Sequence, residues 1–178
     1  MNWRGNKRLD FLVGQQTWAG IECENIREWL YPDREEIRHM LKKAVELDIP
    51  PILIGRRIPF VTRRVLHPTG VMLWETRNQF YPPEYDNLAT QMREKTSLGF
   101  FDIRVSDYPT PQLQDFISRI IPEELPRATE RFAAYKDLLA AYAFEEMAYN
   151  EFAARVRRRE NGKNEDRDED REKDRYEE

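Results

Sequence analysis

Asp10, Glu22 and Glu24 are the side chains of this 178-residue sequence whose type and spacing point most directly to chemistry. Glu22 and Glu24 are two apart in the apolar run WAGIECE (18–24). If that run is a strand, both carboxylates project to one face, and Ile21 and Cys23 to the other. Asp10 lies in RLDFLV (8–13), which reads as the partner strand of an antiparallel hairpin closed by GQQT (14–17). A loop of GQQT alone would set Asp10 opposite Ile21, facing away from Glu22; one more loop residue, or a bulge, brings it to the same face. Aspartate is depleted in strands. Carboxylates crowded into a partly buried site repel one another unless their pKa values rise or a divalent cation joins them. The trio therefore predicts a site for Mg2+ or Mn2+.

The elements that must hold these residues follow directly. YPDREEIRHMLKKAVELD (31–48) predicts a helix over 33–47, with Asp33 as N-cap, Glu36 three residues on, and Ile37, Leu41, Ala44 and Leu47 at helical spacing. A short apolar strand, 51–54, comes next. Strand, helix and strand make a βαβ unit, whose right-handed crossover sets strand 51–54 parallel to strand 18–24. Further on, FVTRRVLHPTG reads as a short helix stopped by Pro68 and Gly70, VMLWETRNQFY as a strand and its exit, YDNLATQMREKTSLG as a helix ending at Gly99, and FFDIRVSD as a strand. After YPTP the pattern is helical, and Phe132, Tyr135, Leu139 and Tyr142 share a face suited to core or docking.

This order of residues and elements resembles the PD-(D/E)XK nuclease superfamily, the restriction-endonuclease-like fold. The resemblance rests on Asp10, eleven intervening residues, Glu22, Cys23 and Glu24, then the helix and strand that follow, and it covers about the first 55 residues. It implies an α/β fold: a restriction-endonuclease-like mixed sheet core with flanking helices and a helical C-terminal part. It also implies metal-dependent phosphodiester hydrolysis, with DNA as the expected polymer, Asp10 and Glu22 on the metal, and Glu24 completing the site or accepting a proton from water. The alternative is a catalytically inactive nuclease-fold module that binds nucleic acid or protein. Two features depart from the family pattern. Glu24 stands where members carry lysine, and only nine residues precede Asp10 where members have a helix and a further strand, so the expectation is either a truncated or divergent member or a homodimer contact or partner subunit over the sheet edge.

With no lysine in the motif, another cation must face the phosphate. Parallel strands end on one side of the sheet, so Arg56 and Arg57 after strand 51–54 are expected near the end of the carboxylate strand, with Arg63, Arg64 and Arg27 as further phosphate ligands. Trp29 and Tyr31 are candidates for stacking on bases, and Glu75, Arg77 and Asn78 for reaching the site. His39 and His67 are assigned no catalytic role.

Composition bounds these readings. The chain is 40% apolar and 12% aromatic, enough for a core, and its net charge of -4 gives no global attraction to nucleic acid. The single cysteine excludes an internal disulfide and a cysteine-based zinc site. No signal peptide or membrane span is read, so a cytoplasmic protein without membrane partners is the expectation. The organisation expected is a nuclease-like core over 1–108, a helical extension over 109–158, and a disordered mixed-charge tail over 159–178.

Overall fold

The two apolar runs flanking GQQT pair as a hairpin. β1 (Phe11–Gly14) and β2 (Trp18–Glu24) run antiparallel, with Phe11 across from Ile21 and Gly14 across from Trp18. The structure, a computed structural model, describes residues 9–14 and 17–163. Of the tail expected over 159–178, the part beyond residue 163 therefore lies outside the described residues.

α1 (Glu35–Leu47) leads from β2 to β3 (Pro51–Gly55), which lies parallel to β2 as the crossover requires. The N-cap of α1 is Arg34 rather than Asp33, and it makes no side-chain cap. Glu36 bonds the Arg34 guanidinium instead of closing a capping box. At the other end Asp48 takes a left-handed conformation and returns its N–H to Ala44 and Val45. After α2 (Phe60–Leu66) comes β4 (Met72–Glu75), again parallel, completing a mixed sheet of order β1-β2-β3-β4. The run VMLWETRNQFY, expected to be one strand and its exit, holds two strands: β5 (Gln79–Tyr81) leaves the main sheet and pairs in parallel with β6 (Ile103–Val105). Between them α3 spans Asp86–Arg93 and stops well short of Gly99.

α4 (Pro111–Asp115), a π turn at Phe116–Ile120 and α5 (Ile121–Ala143) form one helical path, and α6 (Tyr149–Glu160) folds back on it. At 23 residues, α5 is about 35 Å long and serves both faces of the sheet. Its first half places Ile121, Leu125 and Ala128 against Ile21, Ile52, Ile54 and Met72. Its second half joins α1, α6 and Leu53 on the opposite face through Phe132, Leu139 and Tyr142. Where the helix passes the start of β4, Gly70 has φ +85°, and a Cβ there would sit 2.3 Å from the Ala128 carbonyl oxygen and 2.5 Å from the Phe132 nitrogen. Only glycine allows that approach. The segment 109–158 thus builds the core rather than decorating it, and the Phe132–Tyr142 face is core, leaving no free docking stripe. α6 continues through Arg159, whose guanidinium is fixed by Asp137, so ordered structure extends past the expected tail boundary.

Candidate active site

The hairpin register decides where the carboxylates fall. Successive pairs Phe11–Ile21 and Leu12–Gly20 extrapolate to Asp10 across from Glu22, which is the register a shared site needs. Asp10 itself lies in a bend just before β1, and its Oδ2 accepts the Cys23 backbone N–H at 2.8 Å. The aspartate therefore also closes the open edge of the hairpin.

Glu22 is 8% exposed, a burial that an isolated carboxylate does not tolerate. Its counter-charge comes from α1: the Lys43 ammonium donates to Glu22 Oε1. Because α1 runs back along β2, Glu36 comes to lie near Glu24 and Lys43 near Glu22, one helix face facing one strand face. The other oxygen of Glu22, Oε2, is buried and has no hydrogen-bond partner among the described residues. Glu24 is half-buried. Burial first, then the charges of Glu22, Glu36 and Asp10, raise its pKa above the ordinary carboxylate value, with Lys43 opposing. Cys23, on the opposite face of β2, is reached by solvent. Partial burial, followed by the charges of Asp10, Glu22 and Glu24, pushes its thiol up to about 11, so it is not a thiolate nucleophile at neutral pH.

Lys43 is the functional candidate that the sequence pattern hid. The reading of α1 followed Ile37, Leu41, Ala44 and Leu47. The adjacent stripe of Glu36, Met40 and Lys43 also carries a signal, since Met40 is fully buried and its i+3 neighbour must lie against the sheet.

The arginines are arranged differently from expectation. Arg56 is 7% exposed, too buried to meet a phosphate in solvent. Its guanidinium bonds Asp102 and the Ile26 and Arg27 carbonyls, clamping the 25–27 segment to the loop before β6. Arg27 bonds the same Asp102 at 3.0 Å and stacks 3.7 Å from the Phe100 ring centroid. Burial pushes the Asp102 carboxyl upward, but the Arg27 hydrogen bond and the charges of Arg27 and Arg56 outweigh it and hold the pKa below the usual aspartate value. Arg57 and Arg63 both pair with Glu75, at 3.4 and 3.1 Å, each with more than a third of its side chain exposed. Glu24, Gly55 and Glu75 occupy successive places across β2, β3 and β4, but Leu30 fills the space above Gly55 between the two acids. The Glu75 arginines are thereby screened from the carboxylates of β2. Arg64 is exposed and makes no ion pair with a described residue. Trp29 and Tyr31 are 52% and 47% exposed and stack in parallel, ring centroids 6.3 Å apart. Arg77 and Asn78 form the turn after β4, where Asn78 bonds Thr76.

Among the described residues, no group of three or more His, Cys, Asp or Glu side chains is gathered to hold a metal ion. Glu22 and Glu24 lie on one face of β2, close enough for the charge of Glu22 to act on Glu24, and offer oxygen ligands only. That set suits a hard cation such as magnesium, which commonly takes one or two carboxylates and completes its shell with water and phosphate oxygens. No helix of the described residues is long and apolar enough to cross a membrane. Compared with protein-family models, curated proteins and solved structures, the chain matches none.

Proposed function

We propose that the chain is a metal-dependent nuclease of the PD-(D/E)XK type, hydrolysing phosphodiester bonds of nucleic acid, DNA by the family resemblance. The observation that carries this reading is the state of Glu22: buried, neutralised through one oxygen by Lys43, and left with Oε2 unpartnered beside a second carboxylate of raised pKa. Asp10 and Glu22, the ligands the resemblance implies, would hold the magnesium or manganese ion, with Glu24 either completing the site or acting as the base. A bound divalent cation would contribute stabilisation of the charge that develops on the scissile phosphate. Glu24, whose pKa is shifted toward neutrality, is the group suited to accept a proton from the attacking water. Lys43 returns an ammonium to a motif that lacks one and fixes the orientation of Glu22.

The test is cleavage of single-stranded and duplex DNA and RNA with Mg2+ or Mn2+, against a chelated control. Removing a general base costs about 100-fold or more, so Glu24→Gln should lower the rate by at least that much, with Glu22→Gln also inactive. An absence of cleavage under every metal and polymer condition would overturn the proposal.

A second reading, a nuclease-fold binding module without turnover, is favoured by one observation. Arg27, Arg56, Arg57 and Arg63 are all engaged by Asp102 or Glu75, so none of these four takes the place of the motif lysine at the scissile phosphate, which turnover needs. Nucleic-acid affinity that persists in EDTA, without cleavage in metal, would select it.

A further inference from the structure

A cavity of about 340 Å3 opens on the other face of the sheet, at the carboxyl ends of β2 and β3, between these strands and the segment that leads from β6 into α4. Its walls are chiefly apolar: Ile54, Phe80, Leu113 and the ring of Tyr108, which is 78% exposed at the mouth. Cys23 lies along it. Most of its polar side chains are already engaged. The Asn25 amide bonds the backbone of Phe80 in both directions, the Thr76 hydroxyl bonds Asn78, and the Ser106 hydroxyl bonds Tyr108. The carboxylate of Asp107, an exposed residue of its lining, accepts no hydrogen bond from a described residue. The space is thus near the lower end of small-molecule pockets, roughly 300 to 1,000 Å3, with aromatic walls and a carboxylate acceptor.

Those features match a flat heteroaromatic ring bearing an amino group. Aromatic side chains stack on such rings, and carboxylates accept from exocyclic amines. Glu24, the last residue of β2, also lines the cavity, while its side chain faces the carboxylate site with Glu22. We propose that this cavity binds an amino-bearing nucleobase, its ring against Phe80 and Tyr108 and its amino group on the Asp107 carboxylate. The proposal deepens the nuclease reading and rests on it in naming a nucleobase, because the cavity lies at the end of the strand that carries the phosphate-handling acids.

Cys23 makes occupancy measurable, as it is the one cysteine of the chain and lines the cavity. The full chain in EDTA is alkylated with iodoacetamide at about pH 9, where a thiol with raised pKa still reacts. CMP, GMP or a cytosine-containing single-stranded dinucleotide is then added. Alkylation should slow about threefold when the ligand stands at twice its Kd, and ribose 5-phosphate should give no protection. Protection by the mononucleotides identifies a free nucleotide as sufficient occupant; protection by the dinucleotide alone identifies a base within a strand. Phe80→Ala removes the ring but keeps the backbone atoms that Asn25 bonds, and Asp107→Asn removes a surface charge. Each should weaken protection. Equal protection by ribose 5-phosphate, no protection by any nucleotide, or full protection in both variants would overturn the proposal. Because metal is absent, the result is separable from catalysis. Cleavage without protection keeps the nuclease and removes the base site; protection without cleavage does the reverse.

Discussion

At the residue scale, the buried Glu22–Lys43 pair controls the site. Its two members should respond unequally to mutation. Lys43→Met leaves a buried carboxylate without its counter-charge, whereas Glu22→Gln leaves a neutral amide and frees a lysine able to reach solvent. Breaking a fully buried pair from one side costs about 3–5 kcal/mol. Lys43 keeps 19% of its side-chain surface, so about 2–3 kcal/mol is expected for Lys43→Met and less for Glu22→Gln, measured by urea denaturation. Glu24 gives a pH prediction of definite sign. Its pKa in the folded chain is raised above 4.5, so ionisation is harder in the fold than in the unfolded chain. Below the unfolded value both states are protonated and the group contributes nothing. As pH rises through the folded value the fold loses stability relative to the unfolded chain. Glu24→Gln should therefore melt higher than wild type at neutral pH and gain little below about pH 4. A gain that persists undiminished into acid would show that crowding, not charge, is what the substitution relieves. The common face of Glu22 and Glu24 was legible from their two-residue spacing. Lys43 was not, because a lysine on an amphipathic helix reads as solvent-facing until the tilt of α1 on the sheet is known.

At the scale of elements, Asp102 ties the small β5–β6 sheet to the main one, through Arg56 after β3 and Arg27 after β2. Asp102→Ala would leave the buried Arg56 with carbonyl partners only. Hydrogen exchange should then show the 79–105 region opening before the four-stranded sheet, with a global loss of about 2–4 kcal/mol. The lowered pKa of Asp102 means that its stabilisation is present above the ordinary aspartate value and fades as pH falls through the folded one, so the mutant and wild type should converge in acid. Gly70 makes a second element-level prediction. A Cβ at its positive φ would overlap the α5 backbone, so Gly70→Ala should cost about 2–4 kcal/mol by separating α5 from the sheet edge. The hairpin, α1 and β3 were readable because local periodicity and crossover handedness determine them. The split of VMLWETRNQFY into β4 and β5 was not. Its turn depends on Arg77 in a left-handed conformation and on Thr76 and Arg77 donating their N–H groups to Gly55 and Arg56, contacts made far along the chain.

For the whole molecule, the question is where a chain of net charge -4 could still hold a polyanion. Sequence treats Arg27, Arg56, Arg57, Arg63 and Arg64 as one basic group, since nothing local distinguishes a guanidinium that will clamp two loops from one that will face solvent. Tertiary structure separates them: Arg56 is interior, Arg57 and Arg63 share Glu75, and Arg64 stands in solvent. Alanine at each position should therefore give a different result. Arg56→Ala breaks a buried pair and should lower the melting temperature by about 10 °C, with any loss of binding following from unfolding. Arg64→Ala should leave the melting temperature unchanged. If nucleic acid passes over this surface, it should reduce the slope of log affinity against log salt by about one unit, the signature of one lost phosphate contact. Glu75→Gln should act in the opposite direction, releasing Arg57 and Arg63 and steepening the salt dependence. Filter-binding titrations at several salt concentrations, beside thermal melts of the same three variants, read both quantities. A slope indifferent to Arg64 and to Glu75 would place the polyanion elsewhere on the molecule.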